Sequence, residues 1–187
     1  MILAHFNRKR KNREIVDGLY RQLTDVARFP AFYAHMNVPD TVMGRFEMMT
    51  VVMVLFLRRT HERGAPLTDL AQSIVDTFFT DMDHSIRELG VGDVSVPKRM
   101  KKLARMFYGR AKSYGDALDD ASRAALAQAL GRNLYPQDKN DTQVAVADMR
   151  QLAAAILQLD SRMGALADED LLSGRLEIET TFENKDK

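Results

Sequence analysis

Acids, bases and a histidine crowd into one stretch, Phe78 to Arg110, at spacings that could support chemistry. Asp81-x-x-His84 has the i,i+3 separation at which a carboxylate and an imidazole on one helix can share a metal ion, and Glu47 is a third ligand candidate. Di-iron carboxylate bundles use two Glu-x-x-His motifs and two further Glu residues, however, and this chain has a single Asp version with no second copy. Paired surface residues are the better reading. The remaining histidines, His5, His35 and His61, sit near the terminus or at helix ends, and none falls in an apolar helical pocket suited to haem. No nucleophile-elbow context surrounds any serine, and no Gly-rich phosphate loop occurs. The chain has no Cys, which removes thiolate zinc sites, disulfide frameworks and cysteine nucleophiles. No catalytic residue, metal ligand or cofactor is assigned.

Helical geometry divides these charges by role. At about 100° per residue, Lys98, Lys101, Lys102, Arg105 and Lys112 share one face, opposite Leu103, Phe107 and Tyr114. Such a row is most often a solvated face, but it can also follow phosphates, with Tyr108 at its flank as a stacking partner. Arg99 and Arg110 fall instead at the edge of the apolar stripe, beside Met106. One helix earlier, Asp83 with Arg87 and His84 with Glu88 make i,i+4 pairs. Asp81 lies at the margin of the apolar arc, where a carboxylate needs a partner. Arg45, Arg58, Arg99 and Arg110 are candidates; a lock between Asp81 and Arg99 or Arg110 is expected, the alternative being a half-exposed Asp held by water.

The elements that must position these groups are all helical. Ile15, Leu19, Leu23 and Val26 recur at helical spacing until Phe29-Pro30, and a short apolar piece, Phe32 to Met36, follows. Asp40 is the expected cap of a long helix running to about Arg63, whose second half, Val51 to Leu57, is apolar on every side and hence central. After Gly64-Ala65-Pro66, a stripe from Leu67 to Leu89 ends with Gly90 at the C-cap, and Ser95 with Pro97 starts the basic helix. A break is expected over Gly115 to Asp120. Another helix ends at Tyr135-Pro136, and an Ala-rich one begins at Asp141 or Thr142. The expected fold is an all-α, single-domain bundle of about six to seven helices around a central buried helix. Residues 1–12 form a flexible basic N-terminus, 13–173 the helical domain, and 174–187 an extended or disordered tail.

Length and charge set bounds on function. A chain of 187 residues can bury a core unaided. Lys plus Arg at 27 against Asp plus Glu at 26 leaves the whole-molecule field weak, so attraction to a nucleic acid or membrane must come from a local patch. The apolar run Met48 to Leu57 is too short to span a bilayer, and the N-terminus has its basic residues after its apolar ones, the reverse of a secretory signal. A cytoplasmic protein is expected. The first dozen residues, apolar then basic up to Arg13, are either a frayed terminus or a contact for an anionic membrane surface.

Three stretches carry a resemblance: PDTVMGRFEMMTVVMVLFLRR from Pro39 to Arg59, FFTDMDHSIRELGVGDVSVPKRMKKLARMFYGRAKSYGDAL from Phe78 to Leu118, and DLLSGRLEI from Asp170 to Ile178. They are similar to the signature of the ubiquinol-cytochrome c chaperone family over most of the chain from about Phe32 onward. The residues that stand for that motif here are Gly44, Arg45, Glu47, Asp83, Arg87, Glu88, Gly90, Gly92, Asp93 and Tyr108. The resemblance implies a non-enzymatic assembly factor that holds newly made cytochrome b until haem insertion and entry into the cytochrome bc1 complex. It also implies partners: mitochondrial relatives work near the ribosomal tunnel exit with a small helical protein. Without a transit sequence this chain resembles a bacterial member, for which a homodimer and peripheral contact with the ribosome or the inner membrane are expected. Its 11 methionines suit apolar clients. The competing expectation is a helical metal-dependent oxidase in quinone metabolism.

Overall fold

The chain runs through α1 (Ile2–Ala27), α2 (Pro30–His35), α3 (Val42–Thr60), α4 (Ala65–Glu88), α5 (Val96–Asp119), α6 (Arg123–Leu134), α7 (Thr142–Gly164) and α8 (Asp168–Leu172). This computed structural model describes residues 2–90, 92–136 and 142–182, with side chains from residue 10 in α1 and from residue 149 in α7. Six helices are long and two, α2 and α8, are short; no strand occurs among the described residues. The expected all-α bundle is what forms.

The α3 helix is central because its sequence leaves it no polar face: from Phe46 to Phe56 every residue is buried. It packs against α1, α4, α5, α6 and α7. Its start differs from expectation. Thr41 Oγ1 accepts the Gly44 N–H at 3.1 Å, whereas Asp40 is drawn away to Arg45 Nε at 2.7 Å. A hydroxyl at the N-cap satisfies one otherwise orphaned amide. Next to this cap Gly44 is sterically required, since a Cβ there would stand 1.9 Å from the Pro39 carbonyl oxygen.

The α4 and α5 helices form an antiparallel hairpin. Gly90, at φ +77°, takes the left-handed conformation that ends α4, and Pro97 sits in the first turn of α5 as expected. Ser95 occupies the cap position without a capping bond from its side chain. The break expected over Gly115 to Asp120 comes at the far end of that range: α5 runs through Gly115 to Asp119, and the chain turns at Ala121 with φ +47°. Tyr114, Ala117 and Leu118 are all buried on that last turn, and their packing outweighs the roughly 1 kcal/mol helix penalty of glycine.

The described part of the C-terminal tail is tied to α1. No helix boundary falls at residue 12, because α1 starts at Ile2. The tail is extended through Phe182, and it is held in place: Gln22 Nε2 donates to the Gly174 carbonyl at 2.8 Å and Gln22 Oε1 accepts the Leu176 N–H at 2.8 Å. One amide side chain thus stands in for a partner strand. Leu176 is buried, and Phe182 packs on Phe29 and Phe32 with centroids at 5.7 and 5.4 Å. Residues 183–187 lie outside the described chain.

Candidate functional site

A groove of about 580 Å³ opens where the second half of α1, the first turns of α3, the end of α4 and the start of α5 converge. Four methionines, Met43, Met49, Met82 and Met106, line it together with Phe46, Ile86, Leu89 and Leu103. The α4 and α5 contributions follow from helical periodicity, Met82, Ile86 and Leu89 on one helix and Leu103 and Met106 on the other. Phe46 and Met49 come from the central helix. Thioether side chains have three rotatable bonds and a polarisable sulfur, so such a lining adapts to apolar surfaces of varied shape.

Charges stand around this apolar lining. Arg28, Arg45, Arg99 and Lys102 contribute cations, and Asp81 and Glu88 contribute acids. Asp81 does not form the expected lock. It accepts a hydrogen bond from the Tyr20 hydroxyl at 2.9 Å, joining α4 to α1 rather than to α5. Burial first, and the Asp81 carboxylate second, push the Tyr20 hydroxyl well above the usual phenol range. Arg99 is exposed on the groove rim, and Arg110 is taken by another acid.

That acid is Glu47, and the lock between helices lies beneath the groove. Arg110 Nε donates to Glu47 Oε2 while its Nη2 faces Oε1, tying α5 to α3. Glu47 is 1 % exposed and Arg110 13 %. The guanidinium also lies 5.9 Å from the Phe46 ring centroid, so the residue that floors the groove rests on the locked pair. Tyr114, whose hydroxyl accepts from Asn133 Nδ2 at 2.9 Å, completes the network. Burial raises the Glu47 carboxyl above its ordinary value, opposed by Arg110 and Tyr114. Around this network Phe78 stacks between Phe46 and Phe107 at 6.1 and 5.4 Å, so two of the three resembling stretches form one packed unit.

The other expected residues separate into two groups. Arg87 bridges Asp83, at 2.6 Å from Nε, and Asp93 across the turn, so this ion pair closes the hairpin as well as lying along α4. Gly90 and Gly92 form that turn, and Glu88 is exposed at the groove rim. Lys98, Lys101, Lys102, Arg105 and Lys112 are all exposed along α5, as the expected row requires; Lys112 is engaged by Asp116 at 3.0 Å. Tyr108 is exposed on their flank and packs against Phe79 and Phe107.

The residues considered for a metal are dispersed. Asp81 faces Tyr20, His84 is exposed, and Glu47 is held by Arg110. Among the described residues no three His, Asp or Glu side chains are grouped as a metal would need. No described helix is long and apolar enough to cross a membrane. Sequence reasoning missed the groove itself and two anchors, Gln22 and Arg59. Arg59, 3 % exposed on the central helix, donates to the Leu166 carbonyl from Nε at 3.1 Å and to Asp168 at 2.5 Å. A charged residue closing an otherwise apolar helix was the available signal for Arg59, and Val42-Met43 in the first turn of α3 was the signal for the groove.

Comparison with known proteins bears on the family and the overall fold. A family model described as ubiquinol-cytochrome C chaperone matches residues 34–181. The crystal structure of the Cbp3 homolog from Brucella abortus is similar over 96 % of this chain and 98 % of that one, at 45 % identity and a TM-score of 0.82. No curated protein matches.

Proposed function

The chain belongs to the ubiquinol-cytochrome C chaperone family, and from that premise we propose that it is a non-enzymatic assembly factor for the cytochrome bc1 complex whose client, newly made cytochrome b, docks in the methionine-lined groove. The observation that carries this reading is the groove itself: four methionines between cationic side chains, built largely by the stretches that carry the family signature. An apolar segment of a membrane protein needs a surface that excludes water without demanding one shape, and flexible thioethers meet that need. Val42 and Met43 belong to the lining and are exposed, so the apolar surface reaches the mouth of the groove.

A lock beneath an adaptable surface divides the labour. Glu47 and Arg110 hold α3 against α5, so the groove walls stay in register while Met43, Met82 and Met106 change rotamer. This reading takes the protein as cytoplasmic, acting at the ribosome or the inner membrane, and as a homodimer; light scattering on the purified protein decides the last point.

The client assignment is tested by placing a photo-crosslinking amino acid at Met43 or Met106 in cells and identifying the captured protein. Cytochrome b is the expected product. Capture of cytochrome b only from control positions on α6 or α7 would overturn the groove assignment, and normal bc1 levels in a deletion strain would overturn the function.

A further inference from the structure

Two large aliphatic side chains project from the α4–α5 turn, Leu89 at 62 % exposure and Val94 at 96 %. Single exposed apolar residues are ordinary, but these two share one turn, and the α5 cations begin immediately after it. We propose that this hairpin tip seats the protein on an anionic lipid bilayer, with Leu89 and Val94 entering the interface and Lys98, Lys101, Lys102 and Arg105 meeting the headgroups.

The electrostatics of the tip favour that occupant. Asp83 and Asp93 would repel a phosphate surface, but they share the Arg87 guanidinium within the turn, which leaves one net negative charge among the three. Glu88, at the groove rim, adds a second negative charge, and Lys98, Lys101, Lys102 and Arg105 outnumber the two. The four cations are exposed on the first turns of α5, within about 15 Å of helix from its start. Each basic side chain near an anionic surface improves binding about fivefold, and the attraction fades with salt. Two glycines lie between the aliphatic pair: Gly90 holds the positive φ that shapes the turn, and Gly92 adds no bulk.

RNA is the rival for a cationic row, because its phosphates are served by the same side chains. Leu89 and Val94 decide between them. Aliphatic tips gain nothing from a phosphate backbone but are drawn into the acyl boundary of a bilayer. Tyr108, the exposed ring on which a base could stack, lies about 18 Å along α5 from the tip.

The groove opens at this same end, since Leu89, Arg99 and Lys102 belong to its lining. A protein seated by the tip therefore presents the groove to the membrane surface. That consequence rests on the proposed client reading; the lipid contact does not.

The chain has no tryptophan, so Val94→Trp supplies a single fluorescent reporter at a position with no packing to disturb. The full-length protein is mixed with phosphatidylcholine vesicles with and without phosphatidylglycerol. The expected result is flotation only with the anionic vesicles, weakening with salt, and a blue shift of the V94W emission. Lys98→Gln with Lys101→Gln should lower binding by roughly fivefold per charge, and Leu89→Ser with Val94→Ser by at least about tenfold at unchanged net charge. Absence of flotation, unchanged binding by the serine variant, or V94W emission that stays put while an RNA homopolymer binds through the same lysines would each overturn the proposal. No cytochrome b enters this assay, so its failure leaves the groove assignment standing, and failure of client crosslinking leaves the lipid contact standing.

Discussion

Glu47 on α3 and Arg110 on α5 form a two-pronged ion pair shut away from solvent at the base of the groove. Removing one partner of such a pair strands the other charge, which costs more than the pair contributes. Arg110→Ala should therefore destabilise the protein by about 3–5 kcal/mol near neutral pH.

The same pair gives a pH signature. Burial raises the folded-state value of Glu47, so its contribution to stability is fully present below the unfolded carboxyl value of roughly 4.3 and is lost as pH rises through the folded value. Deleting Arg110 removes a lowering influence and moves that folded value further up. The penalty of Arg110→Ala should thus shrink at mildly acidic pH, where Glu47 takes up a proton and needs no cation. Urea unfolding of both proteins at the two pH values measures it, and an equal penalty at both would count against the assignment.

Asp81 is expected to tolerate neutralisation. Its partner is a hydroxyl donor and Asp81 is itself exposed, so Asp81→Asn keeps an acceptor for Tyr20 and should change stability by no more than about 0.5 kcal/mol. Tyr20→Phe, which removes the donor, should cost about 1 kcal/mol. Thermal melts that reverse this order would restore Asp81 as the structural lock.

Gln22 controls the tail. Gln22→Ala removes both bonds to the backbone at Gly174 and Leu176, each worth about 1 kcal/mol. Residues 175–182 should then exchange amide hydrogens faster and be cut earlier by proteases, while protection of α3 is unchanged. A uniform loss of protection would show that the tail and core unfold as one unit.

Glycines on α3 and α5 should respond in opposite directions. Gly44→Ala drives a Cβ into the Pro39 carbonyl and should cost about 1–3 kcal/mol, disturbing the cap beside Val42 and Met43. Gly109→Ala, in the interior of α5 with nothing within 4 Å of the new methyl, should stabilise by about 0.5–1 kcal/mol.

Function is probed by charge in the groove. Met82 is half-buried on the wall, so Met82→Lys should leave the free protein folded and yet place an ammonium against the proposed apolar client. Capture of cytochrome b should fall by at least about tenfold, read by co-purification; full capture would move the client elsewhere.

Much of this was legible in the sequence because it depends on local pattern. The period of Leu67 to Leu89, the all-round apolar run of Val51 to Leu57, Gly90 with its positive φ and the exposed lysine row of α5 all follow from spacing along one helix. The cap at Thr41 and the continuation of α5 through Gly115 did not, since each turns on a competition between neighbours, Arg45 for Asp40 in one case and buried Tyr114 against glycine entropy in the other.

Which acid meets which base was beyond the reach of periodicity. Asp81 and Arg110 both lie at stripe margins, and their sequence cannot say that Tyr20 from α1 reaches one while Glu47 from α3 reaches the other. The chain by itself determined the helices, their faces and the family signature, because those are properties of consecutive residues. The tertiary structure alone decided the partners, the pinned tail and the groove, because each is made by side chains that approach only after separate helices have packed.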